Sequence, residues 1–169
     1  MTMLQSFAPV SRPDAKVLLL GSMPGVRSLQ QAQYYAHERN AFWPIMGELF
    51  GATPAIAYAE RLRMLQSRRI ALWDVLWCCE RIGSLDSDIA EASIIANDFA
   101  ALFEQHPHID RVFFNGAKAE AAYKKHVLST LVGVGDSIHY LRLPSTSPAH
   151  AGMTFGEKLE RWKVVQGAV

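Results

Sequence analysis

Two cysteines in 169 residues, side by side as Cys78 and Cys79, are poorly placed to bridge each other and too few to ligate an iron–sulfur cluster or a structural zinc. No metal cluster, no metal site and no cofactor are therefore expected, and a reducing, cytoplasmic setting suits the free thiols. Charge of one sign is also missing. The net charge of +1 means that any anionic partner has to be met by a local patch rather than by the molecule as a whole. No apolar run nears the ~20 residues of a membrane span, and the N-terminus lacks the basic start and long apolar core of a signal peptide, so no membrane partner is expected. Repeats, low-complexity tracts and linkers are absent as well. With half of its residues hydrophobic, the chain is expected to form a single domain over residues 1–169, acting as a monomer.

What is present is a set of short apolar runs separated by helical patterns. Val17-Leu18-Leu19-Leu20, within a strand expected at 16–20, stops at Gly21-Ser22-Met23-Pro24-Gly25, and a long polar and aromatic loop follows through Arg39. Phe42, Trp43, Ile45, Met46, Leu49 and Phe50 predict a buried helix ending near Gly51, and Pro54 opens a second helix with Tyr58, Leu62 and Leu65 on one face. Ile70-Ala71-Leu72-Trp73 predicts another strand. Asp88, three residues before Glu91, reads as a capping pattern for a helix carrying Ile95, Phe99, Leu102 and Phe103 up to His106-Pro107. Val112-Phe113-Phe114, a helix over about 117–128, the strand 138–143 and a last helix with Phe155, Leu159 and Trp162 complete the chain; residues 1–15 read as irregular. Strands separated by helical crossovers predict a three-layer α/β/α domain with a four-stranded parallel sheet. Its strand-end loops then open on one edge, where α/β proteins place their ligands.

Those loops hold the chemistry-bearing residues. The glycines of the 21–25 turn permit close backbone approach to a flat ligand, although the turn lacks the Lys-Ser/Thr ending of a phosphate loop and is not a dinucleotide fingerprint. A plain strand-ending turn is the competing reading. Tyr34-Tyr35-Ala36-His37-Glu38-Arg39-Asn40-Ala41-Phe42-Trp43 gathers aromatic, amide and basic groups in one loop, whereas Asn40 alone could be a helix N-cap and Phe42 and Trp43 plain core.

Together GSMPG, YYAHERNAFW, VFFNG and LPSTSPAHA resemble the uracil-DNA glycosylase superfamily, and within it most the hypoxanthine-DNA glycosylase (DNA-deoxyinosine glycosylase) family, over residues 16–152. The resemblance implies DNA containing a deaminated base as partner, a nucleotide flipped into a pocket, and a glycosidic bond cut by water with little help from ionisable groups. By the same resemblance Asn40 would position the water above a turn of Gly21, Ser22, Met23, Pro24 and Gly25, Phe42 would stack on the base, and Asn115 would serve as a second catalytic amide. Asp74 stands where uracil-specific relatives carry an asparagine; it could meet a base N–H or instead orient Arg81 or Ser84. Ser145, Thr146 and Ser147 resemble the loop that grips the DNA backbone, with Arg39 and Lys118 as further DNA contacts. The chain departs from the uracil-specific pattern at Leu143, where those enzymes carry a histidine before Pro-Ser, and His150 is a candidate substitute.

Two rival readings remain open at this level. A hydrolase could use Ser22 with His150 and Asp74 as a triad, although Ser22 lies outside a Gly-x-Ser-x-Gly elbow. A non-catalytic nucleic-acid-binding module would keep the aromatic loop but have no use for Asn40.

Overall fold

The computed structural model describes residues 2–169. Elements follow in the order β1 (Met3–Gln5), β2 (Val17–Gly21), α1 (Val26–Gln31), α2 (Phe42–Phe50), α3 (Tyr58–Ser67), β3 (Ile70–Asp74), β4 (Leu76–Glu80), β5 (Ile95–Ala96), α4 (Phe99–Gln105), β6 (Arg111–Asn115), α5 (Ala117–His126), β7 (His139–Leu143) and α6 (Phe155–Ala168). The main sheet has four parallel strands in the order β3-β2-β6-β7. Its central strands are apolar on both faces because both are covered. On β2, Val17 and Leu19 join a cluster with Phe42, Ile45, Met46, Leu65 and Trp162, while Leu18 and Leu20 join one with Phe99, Leu102, Ala119 and Tyr123. The molecule is thus three-layered, with α2, α3 and α6 on one face and α4 and α5 on the other.

The register places the strand ends in one row. Gly21 pairs with Asp74 and Asn115 with Leu143, and Leu20 pairs with Phe114, one step before Gly21 and Asn115. The polar ends of β3 and β6, Asp74 and Asn115, therefore flank Gly21 at the carboxyl edge.

Several features differ from the sequence-based expectation. The segment expected to be irregular contains β1, which pairs with β4, and β4 pairs with β5, forming a second, antiparallel sheet of three strands. No turn residue marks the passage from β3 to β4: Val75 and Leu76 donate to the carbonyls of Gly21 and Ser22 at 2.8 and 3.1 Å, so the chain bends along the end of β2 without a Gly or Pro signal. The helix expected from Asp88 begins at Phe99 instead. Its cap is Asp98, which accepts from the Ala101 N–H at 3.1 Å, and Ile95, assigned to its apolar stripe, lies on β5 with 48% of its surface exposed. Within the loop after β2, the short helix α1 was also unforeseen, and the helix opened by Pro54 starts four residues later, at Tyr58.

Candidate active site

A cavity of about 470 Å³ opens at the carboxyl edge, lined by the 21–28 turn, Tyr34, Tyr35, His37, Asn40, Asp74, the 84–87 loop, residues 115–118 and residues 145–150. That volume falls in the usual range of small-molecule sites, about 300–1,000 Å³. The strand-end loops singled out from the sequence thus converge on one space.

Asp74 lies deepest. It is 3% exposed, its Oδ2 has no hydrogen-bond partner, and burial, with the nearby Asp86 adding to it, pushes its carboxyl up to about 7 against the weaker pull of Arg81. Neither Arg81 nor Ser84 bonds to its side chain: Arg81 donates to the carbonyls of Gly83 and Pro24 at 2.8 and 2.6 Å, and Ser84 accepts from the Val26 N–H at 2.9 Å. Those bonds fasten the loop after β4 to the 21–26 turn. Gly21 is bare for a reason, since a Cβ there would come within 2.5 Å of Asp74 Oδ1 and 3.0 Å of Tyr35 Oη.

Asn40 stands at the cavity wall, with its Oδ1 accepting the Phe42 N–H at 2.9 Å. Asn40 is not the N-cap of α2, a place held by Ala41; its bond closes a turn just before the helix, and its Nδ2 and a second Oδ1 lone pair remain for a ligand. Asn115 is spent differently. It donates through Nδ2 to Thr146 Oγ1 and accepts the Thr146 N–H through Oδ1, both at 2.9 Å. Thr146 is only 1% exposed, and its carbonyl accepts the Ala41 N–H at 2.9 Å. Expected as a phosphate contact, Thr146 instead has all its polar groups turned inward, which leaves Ser145 and Ser147 as the loop's accessible hydroxyls.

Phe42, expected as the stacking ring, does not reach the cavity. It is fully buried and Tyr35 lies over its face, with centroids 4.0 Å apart and planes at 24°. Lys118 lines the wall but is engaged with Glu91 at 2.7 Å, and His150 lines the exposed rim. Arg39 is exposed and outside the lining. The serine triad is not assembled: Ser22 donates to Asp86 Oδ1 at 2.5 Å, a carboxylate that no motif in the sequence singles out. Tyr35 was likewise indistinguishable from its aromatic neighbours in sequence.

The amino end of α5 also faces the cavity. Gly116 holds φ +97° and a Cβ on it would press within 3.0 Å of Ser145, so only glycine fits, and no side chain caps the helix there. Free N–H groups and the positive end of the helix dipole beside Lys118 suit an anion. Among the described residues no group of His, Cys, Asp and Glu is arranged to hold a metal ion, and no helix is long and apolar enough to cross a membrane.

Known proteins resemble this chain along nearly its whole length. The profile of the uracil DNA glycosylase superfamily matches residues 8–166. Two proteins named hypoxanthine DNA glycosylase, from Methanosarcina barkeri and Methanosarcina acetivorans, are each 38% identical over 116 residues, spanning 68% of this chain and 72% of theirs. A solution NMR structure of a protein provisionally described as a uracil DNA glycosylase, from Methanosarcina acetivorans, superimposes with a TM-score of 0.80 at 33% identity, covering 98% of this chain and 97% of that one.

Proposed function

The chain belongs to the uracil DNA glycosylase superfamily, and from that premise we propose that it is a DNA-deoxyinosine glycosylase acting in base-excision repair on a flipped deaminated base, hypoxanthine foremost and uracil as the smaller alternative. The observation that carries this reading is the row Asp74-Gly21-Asn115 at the floor of a cavity that also presents Asn40. A base has to be extruded from the duplex to reach such a recess.

The chemistry follows from the groups at hand. The bond between C1′ of the sugar and the base nitrogen breaks with its electron pair going to the base, and the oxygen of a water held by Asn40 bonds to C1′, its proton passing to solvent or to the departing base. A carboxamide with free acceptor and donor capacity can fix that water without removing its proton. Asp74, poised near neutrality, offers an acceptor when ionised and a donor as well when protonated, which suits the adjacent N–H and C=O that deamination creates on a base edge. The uncapped end of α5, Lys118 and the Ser145 and Ser147 hydroxyls suit flanking phosphates, whose contacts position the strand. Two buried free thiols fit a cytoplasmic enzyme.

Incubation of the protein, without added metal, with a duplex carrying a single hypoxanthine or uracil, followed by alkali, is expected to cut the strand at that base. Intact strands with every deaminated base would sink the proposal. Asn40→Ala is expected to slow excision by about 100-fold or more, the order seen when one preorganised polar group is removed from an active site. It also removes the acceptor of the Phe42 N–H, at roughly 1 kcal/mol, so thermal stability is read alongside the rate. Near-normal turnover in this variant would move the water elsewhere.

A further inference from the structure

The last helix, α6, carries a lysine where its pattern calls for an apolar residue. Lys158, Trp162 and Val165 stand at i, i+4 and i+7 and form the buried stripe of the helix. Lys158 is 5% exposed, and it is the one buried lysine among the described residues. A charge in such a place is expected to be paired. Lys158 has no ion-pair partner among the described residues, and burial lowers its pKa below the ordinary lysine value. Its ammonium makes one long hydrogen bond, 3.4 Å to the Ser147 carbonyl, an oxygen that already accepts the His150 N–H at 3.0 Å. The buried arginine is served differently: Arg81 donates to two carbonyls at 2.8 and 2.6 Å. One turn along α6, Trp162 Nε1 donates to the Pro144 carbonyl at 2.9 Å, so a neutral donor already fastens the same loop to the helix. The loop therefore needs no charge to be held. Ser145, Ser147 and His150 of that loop line the cavity, while Lys158 reaches Ser147 from outside the lining.

We propose that Lys158 is a DNA-binding residue whose ammonium is the counter-charge for a backbone phosphate resting on the 145–150 loop at Ser147. This rests on the glycosylase reading above and adds to it a cation from outside the loop. The flexible four-carbon stem lets the ammonium follow an anion. Leaving Ser147 costs little, because the His150 N–H keeps that carbonyl satisfied. A partly desolvated ammonium also attracts a phosphate more strongly than an exposed one does, and salt screens it less.

The test compares the full-length wild type with Lys158→Met, which keeps the length of the stem, and Lys158→Arg, which keeps the charge. Affinity for an undamaged duplex, and for the same duplex bearing a tetrahydrofuran abasic analogue, is measured by fluorescence anisotropy from about 50 to about 200 mM salt. Lys158→Met is expected to flatten the slope of log K against log salt by about 0.9, the share of one phosphate, and to bind both duplexes about 3- to 10-fold more weakly at low salt. Its melting temperature should hold or rise, since a desolvated charge has been removed. Lys158→Arg should keep the wild-type slope. Neutral methylphosphonates placed one at a time along the abasic duplex locate the contact: at one position the wild type should lose affinity and Lys158→Met should lose nothing further. An unchanged slope in Lys158→Met overturns the proposal, as does a scan in which every methylphosphonate that weakens the wild type weakens this variant equally. A slope flattened to the same extent in Lys158→Arg, or a lower melting temperature with the wild-type slope, assigns Lys158 to the shape of the loop and likewise overturns it. A wild type that leaves every deaminated base uncut overturns the glycosylase reading itself, a result separate from the slopes on undamaged DNA.

Discussion

Asp74 is a carboxyl whose ionisation works against the fold. Its pKa is raised from 3.8 to about 7 by burial, with Asp86 close by, so the folded protein holds this proton more tightly than the unfolded chain does. The stabilisation is complete below pH 3.8 and is lost as the pH rises through about 7, at up to about 1.4 kcal/mol per pH unit in between. Denaturant unfolding from pH 4 to 8 should show wild type losing stability relative to Asp74→Asn across this window, and a constant difference would mean that Asp74 ionises freely. The carboxyl of Glu91, lowered to about 2 by Lys118, Lys125 and His126, acts in the opposite sense and below its ordinary value of 4.5, so it touches only the acid end of that range and is common to both proteins. At this scale the sequence was legible wherever a polar residue ended an apolar run, as with Asp74 and Asn115. It was opaque for Tyr35, Asp86 and Thr146. Their positions depend on hydrogen bonds between residues far apart in the chain, such as Ser22 with Asp86, and on a positive φ that no residue type announces.

Among elements, the parallel strands and most of the helices could be read because all but the mixed β7 are apolar runs or 3.6-residue stripes. The second sheet could not: β1 and β5 span three and two residues, and β4 follows β3 without a turn. The apparent capping pattern at Asp88 misled because Glu91 has another task. That single carboxylate meets Lys118 at 2.7 Å, Lys125 at 3.1 Å and His126 at 3.2 Å, strapping the loop between β4 and β5 onto α5. All these groups are at least partly solvated, so the strap contributes little to stability. Its greater effect is on charge beside the cavity. Glu91→Gln is expected to leave the melting temperature within a few degrees, yet to tighten non-specific DNA binding several-fold at low salt and to steepen its salt dependence as Lys118 and Lys125 become free for phosphate. An unchanged salt slope, measured by fluorescence anisotropy, would place both lysines off the DNA path.

For the molecule as a whole, the decisive feature is how few bonds tie the strand-end loops into one body. Thr146 joins three of them, through Asn115 at the end of β6 and Ala41 beside Asn40. Thr146→Val keeps the shape but strands the Asn115 amide in a buried place, at about 1–3 kcal/mol by denaturant unfolding. A loss below about 0.5 kcal/mol would mean that water replaces the hydroxyl at no cost. The linkage also makes the site a transmission. Under the function proposed above, a phosphate held at Ser145 or Ser147 would pull on Thr146 between them, and that pull would reach Ala41, the neighbour of Asn40, through one backbone hydrogen bond, so that seating of the loop would be felt where the water is held.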